Sequence, residues 1–399
     1  MYNMSRLNTF KKDEMDESFA EINSWDELDL KTELLRGIYA YGFEIPSPIQ
    51  KKAILPIIKK RDVIAQAQSG TGKTATFAIG ALQHIDESIN ATQVLILSPT
   101  RELAAQSAAV VADIGSMMKG IRIQTQYGGL NNNEYSSFRA KNEPHIVCGC
   151  TGRIVDIINR GTLKTKHINM VIIDEADEML SYGFKDQVHN IFRHLNENVQ
   201  IVLVSATLPQ QIYSIIDSLM RNPIKITVNS DMLTLEGISQ YYVAMDDDRQ
   251  KYLTLKDLFN TISVSQCIIY CNSVKRVVDL YEAMKEDDYP VACIHSNMDK
   301  DTRDMSFAEF KNGKSRVLIS SNVTARGIDI QQVSVVINFD LPKSVSTYLH
   351  RIGRSGRWGR KGIGINFITK PDVQKIKEIE EYYSCQIKEM PSALETLGL

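Results

Sequence analysis

What this chain has little of narrows its identity first. It carries only six cysteines, Cys148, Cys150, Cys267, Cys271, Cys293 and Cys385. None has a histidine or cysteine partner at finger-like spacing, so the thiols read as small buried hydrophobes rather than zinc ligands. No apolar run reaches the length of about eighteen residues that a membrane-spanning helix needs. The stretch Met1–Ser24 is polar and lacks the apolar core of a secretion signal. A soluble protein of a reducing compartment is the expectation. Charge of one sign is missing too: 46 Lys and Arg stand against 48 Asp and Glu, a net charge of -2. Such a balance exerts no global pull on a polyanion, so any nucleic-acid site must be local. Low-complexity tracts and short fixed repeats are also absent.

What is present is the composition of an ordinary globular protein, 399 residues with 43% hydrophobic and 24% charged side chains. That length suits two domains, each with its own core. Short apolar runs recur at intervals too long for hairpins: 62–65, 93–97, 145–148, 170–173 and 200–204, then 266–270, 291–294, 316–320, 333–337 and 364–368. Runs of this kind fit parallel strands buried on both faces. Helix-like stretches such as 75–85 and 102–114 separate them, which gives an α/β reading, doubly wound and mostly parallel. The expected division is a flexible segment 1–20, an N-terminal domain 21–228, a linker 229–237 and a C-terminal domain 238–399. The shared strand-helix rhythm makes the two halves candidate structural relatives.

After the first apolar run comes Ala67, Gln68, Ser69, Gly70, Thr71, Gly72, Lys73 and Thr74. This fits a phosphate-binding loop with alanine in its first position, between a strand and a helix as the motif requires. Glycines let the backbone curl its N–H groups toward a phosphate, and the helix N-terminus adds a favourable field. Lys73 would neutralise phosphate oxygens and Thr74 would hold Mg²⁺. The plainer alternative is a flexible glycine-rich turn. The same degenerate pattern recurs at 308–315, but there a helix precedes it and a strand follows, so Gly313 reads as a helix C-cap.

The run 170–173 leads directly into Asp174, Glu175, Ala176 and Asp177. Carboxylates at a strand's C-terminal end lie where open α/β sheets present their ligand crevice. Asp174 would support Mg²⁺, partly through water, and Glu175 would activate water. Taken alone, an acidic quartet is as well explained as a solvated helix start, where carboxylates favour the dipole.

With Asp174–Asp177 read beside Pro99, Thr100, Arg101, Glu102, Leu103 and Ala104 upstream and Ser205, Ala206 and Thr207 downstream, nearly the whole chain resembles the DEAD-box RNA helicases. Residues 36–77 look most like the translation initiation factor 4A subfamily. The resemblance implies two tandem RecA-like domains and an RNA-stimulated, ATP-dependent helicase with ATP and Mg²⁺ as cofactors. By the same resemblance Phe43 stacks on adenine and Gln50 hydrogen-bonds its edge, although both could simply pack a turn. In His350–Arg357, Arg354 and Arg357 are the implied arginine fingers, catalytic together with Lys73, Asp174 and Glu175. Asp329 is implied to contact the ribose. Asp177, Ser205, Thr207 and His350 are implied to couple nucleotide state to closure, while a hydroxyl pair at a strand end could instead cap a helix. RNA contacts are implied for Pro99, Thr100, Arg101, Gly128, Gly129, Thr151, Arg153, Arg303 and Ser321. Small residues at loop-to-helix joints can offer backbone N–H groups to phosphates without a large basic patch.

Implied partners are single-stranded RNA, short RNA duplexes and proteins of the initiation-scaffold type, for a cytoplasmic monomer with no membrane role; the nucleus stays open as a location. The leading expectation is local duplex unwinding or ribonucleoprotein remodelling, possible in translation initiation. The alternative is an ATP-locked RNA clamp that nucleates a larger complex; a DNA helicase is the third rival. The chain departs from the family where Cys150, Thr151, Gly152 and Arg153 replace Thr-Pro-Gly-Arg. It departs again at Ser296 and Asn297, which replace Gly-Asp, at Lys300, which replaces glutamine, and at Asn322, which replaces an acidic residue of the nearest relatives. RNA affinity or closure is where these changes would act.

Overall fold

The computed structural model describes residues 20–68, 70–128, 143–181, 183–227, 238–261, 266–322, 333–355 and 362–391. The expected linker 229–237, Ser69, Gly129, Asp329 and Arg357 lie outside the described residues.

Fourteen strands among the described residues form two seven-stranded sheets. In chain order they are β1 (Val63–Gln66), β2 (Val94–Leu97), β3 (Ile123–Gln126), β4 (Ile146–Gly149), β5 (Met170–Asp174), β6 (Gln200–Ser205), β7 (Ile224–Thr227), β8 (Ile238–Ala244), β9 (Cys267–Tyr270), β10 (Val291–Ile294), β11 (Val317–Ser320), β12 (Val335–Asn338), β13 (Gly362–Ile368) and β14 (Lys388–Glu389). The first sheet runs β3-β4-β2-β5-β6-β1-β7 and the second β10-β11-β9-β12-β13-β8-β14. The described pairings are parallel, for example Val63 opposite Val202 and Val335 opposite Cys267. The fold is thus the pair of helix-flanked parallel sheets that the sequence implies. Central strands such as β2, β4 and β5 are buried along their whole length, as a sheet covered on both faces demands.

Each sheet has a core on both faces. Trp25, Ile54, Phe77 and Ile172 belong to one cluster and Ile173, Ile191 and Leu203 to the other side of the first sheet. Ile269, Ile337 and Phe367 against Ile268, Val336 and Phe310 do the same in the second. The glycine reading at 313 holds: the helix Lys300–Lys311 is followed by Asn312 and then Gly313 at φ +75°, a left-handed position where a side chain is strained.

Candidate functional site

The phosphate loop leaves the end of β1 and opens the helix Lys73–His84. Gly70 and Gly72 sit at φ +83° and +96°, conformations that only glycine adopts without strain. Lys73 is buried, and its Nζ donates to the Ala67 carbonyl at 2.6 Å. Thr71 Oγ1 donates to the Gln68 carbonyl at 2.7 Å, and Ser47 Oγ donates to the Thr71 carbonyl at 2.8 Å. Gln50 is buried and ties two elements together: its Oε1 accepts from Ser47 N at 2.7 Å and its Nε2 donates to the Gly72 carbonyl at 3.4 Å. Ser47 and Gln50 thereby form a capping box on the helix Pro48–Ile58. Phe43 is held from behind, since Trp25 Nε1 donates to its carbonyl at 3.1 Å and the two rings stack at 6.4 Å. Trp25 and Ser47 escaped the sequence reading, although Ser47-Pro48 three residues before Gln50 is a helix-start signature.

Across the sheet, β5 delivers Asp174, Glu175 and Asp177, all buried. Glu175 stands at φ +51°, ψ 53°, a costly conformation for a non-glycine residue that the surrounding fold must enforce. Burial, and then the neighbouring Glu175 carboxylate, push the Asp174 carboxyl up to about 7, against the opposing pull of Lys73. A buried group of carboxylates so short of positive charge fits a hard, oxygen-seeking cation such as Mg²⁺. Asp177 Oδ2 accepts from Thr207 Oγ1 at 2.6 Å, and Ser205 Oγ donates to the Thr207 carbonyl at 2.7 Å.

The second lobe closes over this crevice. The helix Val345–Ile352 is capped by Ser344, whose Oγ accepts from Thr347 N at 3.2 Å. It presents His350, which is 1% exposed, and leads to Arg354, also buried, whose Nε donates to the His350 carbonyl at 3.1 Å. His350 Nε2 lies 3.0 Å from Asp177 Oδ2. The four residues expected to couple the lobes, Asp177, Ser205, Thr207 and His350, therefore form one chain of contacts. His350 Nδ1 and Glu175 Oε2 are both buried, 3.7 Å apart, and without a hydrogen-bond partner. Buried polar atoms left in this state mark a place where a further polar group is received.

The residues implied to touch RNA are less uniform. Pro99 and Thr100 lie half-buried at the start of the helix Arg101–Ile114, with Thr100 Oγ1 accepting from Leu103 N at 3.3 Å. Gly128 lies beside the Arg101 guanidinium. Thr151 is fully buried and its hydroxyl donates to Gln187 Oε1 at 2.5 Å. Arg153 pairs with Asp156 at 3.2 Å. Arg303 is 6% exposed and reaches across the lobes: Nε lies 2.6 Å from Glu102 Oε1, and Nη2 donates to Oε2 at 2.8 Å. Ser321 accepts from Ser320 Oγ at its carbonyl, 2.8 Å away. Glu102 and Gln187 were missed as partners because no sequence spacing links them to Arg303 and Thr151.

Residues 47–215 match the DEAD/DEAH box helicase family model, and residues 250–359 match the helicase conserved C-terminal domain. The chain is 50% identical over 370 residues to a Neurospora crassa protein named ATP-dependent RNA helicase eIF4A, covering 93% of each chain. Among solved structures, S. cerevisiae Dbp5 bound to RNA and ADP BeF3 superposes with a TM-score of 0.87 at 33% identity, covering 94% of this chain and 98% of that one. A variant of the same yeast protein bound to Gle1 and IP6 gives 0.74 at 32% identity, covering 95% and 98%.

Proposed function

The chain belongs to the DEAD/DEAH box helicase family, and from that premise we propose that it uses ATP binding and hydrolysis to close two lobes on single-stranded RNA and so open short duplexes locally. The observation that carries this reading is the pair Glu175 Oε2 and His350 Nδ1, one from each lobe, buried, 3.7 Å apart and neither engaged in a hydrogen bond. A water oriented there by Glu175 would face the phosphates held by the loop 67–74 only when the lobes are together. The superposition favours the same state: Dbp5 with RNA and a nucleotide analogue fits better than its Gle1-bound form.

In this mechanism Lys73 neutralises phosphate charge, and Phe43 and Gln50 hold the adenine side of the nucleotide. Arg354 and Arg357 supply cations from the second lobe to the charge that develops on transfer. Asp329 holds the ribose. Thr74 and Asp174 would hold Mg²⁺, which when bound would offset phosphate charge. RNA lies along Pro99–Arg101, Gly128, Gly129, Thr151, Arg153 and Ser321, contacted largely through its phosphates and sugars. We retain lobes of 21–228 and 238–399 joined by 229–237, a monomeric chain, a role in translation initiation with scaffold-type partners, and the cytoplasm as its place. Among the described residues no helix is long and apolar enough to cross a membrane.

The test is Glu175→Gln. It keeps ATP and RNA binding, and RNA-stimulated phosphate release falls by about a hundredfold or more; unchanged turnover would remove Glu175 from the reaction. A second reading, a long-lived ATP-locked clamp, is favoured by the buried Arg303–Glu102 pair between the lobes. RNA residence time with ATP, measured beside strand separation of a short duplex, separates the two.

A further inference from the structure

The helix that presents His350 and Arg354 is short, Val345–Ile352, and something must fix its orientation. Arg351, between those two residues, is 0% exposed and yet charged. A guanidinium has five N–H donors, and five hydrogen bonds leave this one. Nε donates to Asn322 Oδ1 at 2.9 Å and Nη2 to the same oxygen at 2.7 Å. Nη2 also reaches Asn272 Oδ1 at 2.7 Å, and Nη1 reaches Asn338 Oδ1 at 3.1 Å and the Asp340 carbonyl at 2.7 Å. The plane rests over the Tyr270 ring at 5.1 Å. The acceptors come from the ends of β9, β11 and β12, so a single side chain pins the helix to three strand ends.

Every one of these acceptors is neutral. The nearby Asp340 carboxylate is occupied by Lys251 at 3.2 Å, by Arg276 at 2.7 Å and by Asn272 N at 2.9 Å. Burial pushes the Arg351 guanidinium down to about 10, still cationic at neutral pH. The cage therefore fixes geometry while leaving the charge without a carboxylate. Asn338 passes the contact onward: its Nδ2 donates to Asn366 Oδ1 at 2.8 Å, and Asn366 meets Tyr348 of the same helix at 3.2 Å. Asn322 is the exposed member, on the open side of the cage, and supplies two of the five bonds.

We propose that Arg351 is a positioning residue that holds His350 and Arg354 in register with the first lobe, and that Asn322 is the member of its cage that sets how firmly. This rests on the hydrolysis reading above and assigns neither residue a contact with the nucleotide. Displacing the helix by a fraction of its diameter would separate His350 from Asp177 and Glu175 without touching the phosphate loop. The departure at Asn322 thus acts on how the lobes engage, not on how ATP first binds.

Three variants of the full chain test it, each read by RNA-stimulated phosphate release and by thermal unfolding. Asn322→Ala lowers kcat about tenfold, since small misplacement of catalytic groups is expensive, while KM for ATP stays within about twofold. Asn322→Asp keeps the acceptor and adds the missing charge, so kcat is retained and Tm rises. Arg351→Lys keeps the charge but loses the planar fork and behaves like Asn322→Ala. Unchanged kcat in Asn322→Ala, a lowered Tm with kcat intact below the transition, or Asn322→Asp failing as badly as Asn322→Ala would each overturn the proposal. Absence of RNA-stimulated hydrolysis in the unaltered chain would instead overturn the hydrolysis reading.

Discussion

Counted from its own first strand, each lobe has the same strand order, yet equivalent places hold opposite chemistry. After β1 the chain makes a glycine loop and opens a helix at Lys73. After β8 it passes Met245 and enters Asp246, Asp247 and Asp248 before the helix Gln250–Thr261. A cavity of about 260 Å³ remains there, lined by Met245, Asp246, Gln250, Thr369, Lys370 and Val373. Asp246 and Lys370 face it with opposite charges, and Asp248, in the turn beside it, is committed to Arg276 at 2.6 Å and Lys251 at 3.0 Å. The fifth strand repeats the contrast. β5 ends in Asp174, followed by Glu175, where burial outweighs the pull of Lys73, whereas β12 leads to Asp340, which is bound by both Lys251 and Arg276. Topology therefore supplies a crevice in each lobe; in the function proposed above, the first receives the phosphates and the second lobe brings its arginines to them.

The comparison breaks most sharply at Arg354. If the second lobe's role is to bring cations to the first lobe's nucleotide, Arg354→Gln lowers RNA-stimulated kcat by about a thousandfold, the scale of a lost arginine finger. Nucleotide affinity measured without RNA stays unchanged, because that belongs to the loop 67–74. Equal loss of affinity and turnover would mean that the lobes do not divide the work in this way.

The next effect is on stability, and its sign should differ between the lobes. The Asp174 carboxyl is raised from 3.8 to about 7 by burial and by Glu175, so between those values the folded chain binds a proton that the unfolded chain has released. That contribution is fully present below the unfolded value and is lost as pH rises through 7. Without nucleotide, Tm should therefore fall between pH 5 and 8, on the order of a few degrees. Asp174→Asn flattens this slope and raises Tm at pH 8. Asp340→Asn lowers Tm, because Lys251 and Arg276 lose a buried partner. Scanning calorimetry of both variants against pH checks the contrast; the same sign in both would refute it.

How much of this was legible in the sequence follows from burial. β1, β2, β4, β5, β6 and β9 to β13 were found because strands covered on both faces are written as unbroken apolar runs. β3, β7, β8 and β14 were missed: Ile123–Gln126 and Ile224–Thr227 lie at or near sheet edges, where polar residues alternate with apolar ones over too few positions to signal. The phosphate loop and the carboxylates after β5 announced themselves because their chemistry is local in sequence. Pairings that cross the chain carry no spacing, so neither the Arg351 cage nor Thr151 bound to Gln187 could be read in advance. Arg303 shows the limit best, since its expected RNA contact gave no hint of Glu102.

That pair offers the smallest and most specific test of the two-lobe comparison. Arg303 and Glu102 are buried against each other only while the lobes are together; apart, each regains water, so much of the penalty for breaking a buried pair is relieved by opening. Reversing one charge, Glu102→Arg or Arg303→Glu, should thus leave Tm nearly unchanged and shorten RNA residence in the presence of ATP by about tenfold, roughly 1.4 kcal/mol. The double reversal should recover most of that lifetime, because the attraction is restored with its polarity exchanged. Recovery cannot come from an RNA phosphate contact by Arg303, which the double variant has lost. Residence times from fluorescence with labelled RNA therefore decide between a latch and a ligand: partial rescue identifies the ion pair, and additive losses return Arg303 to the RNA.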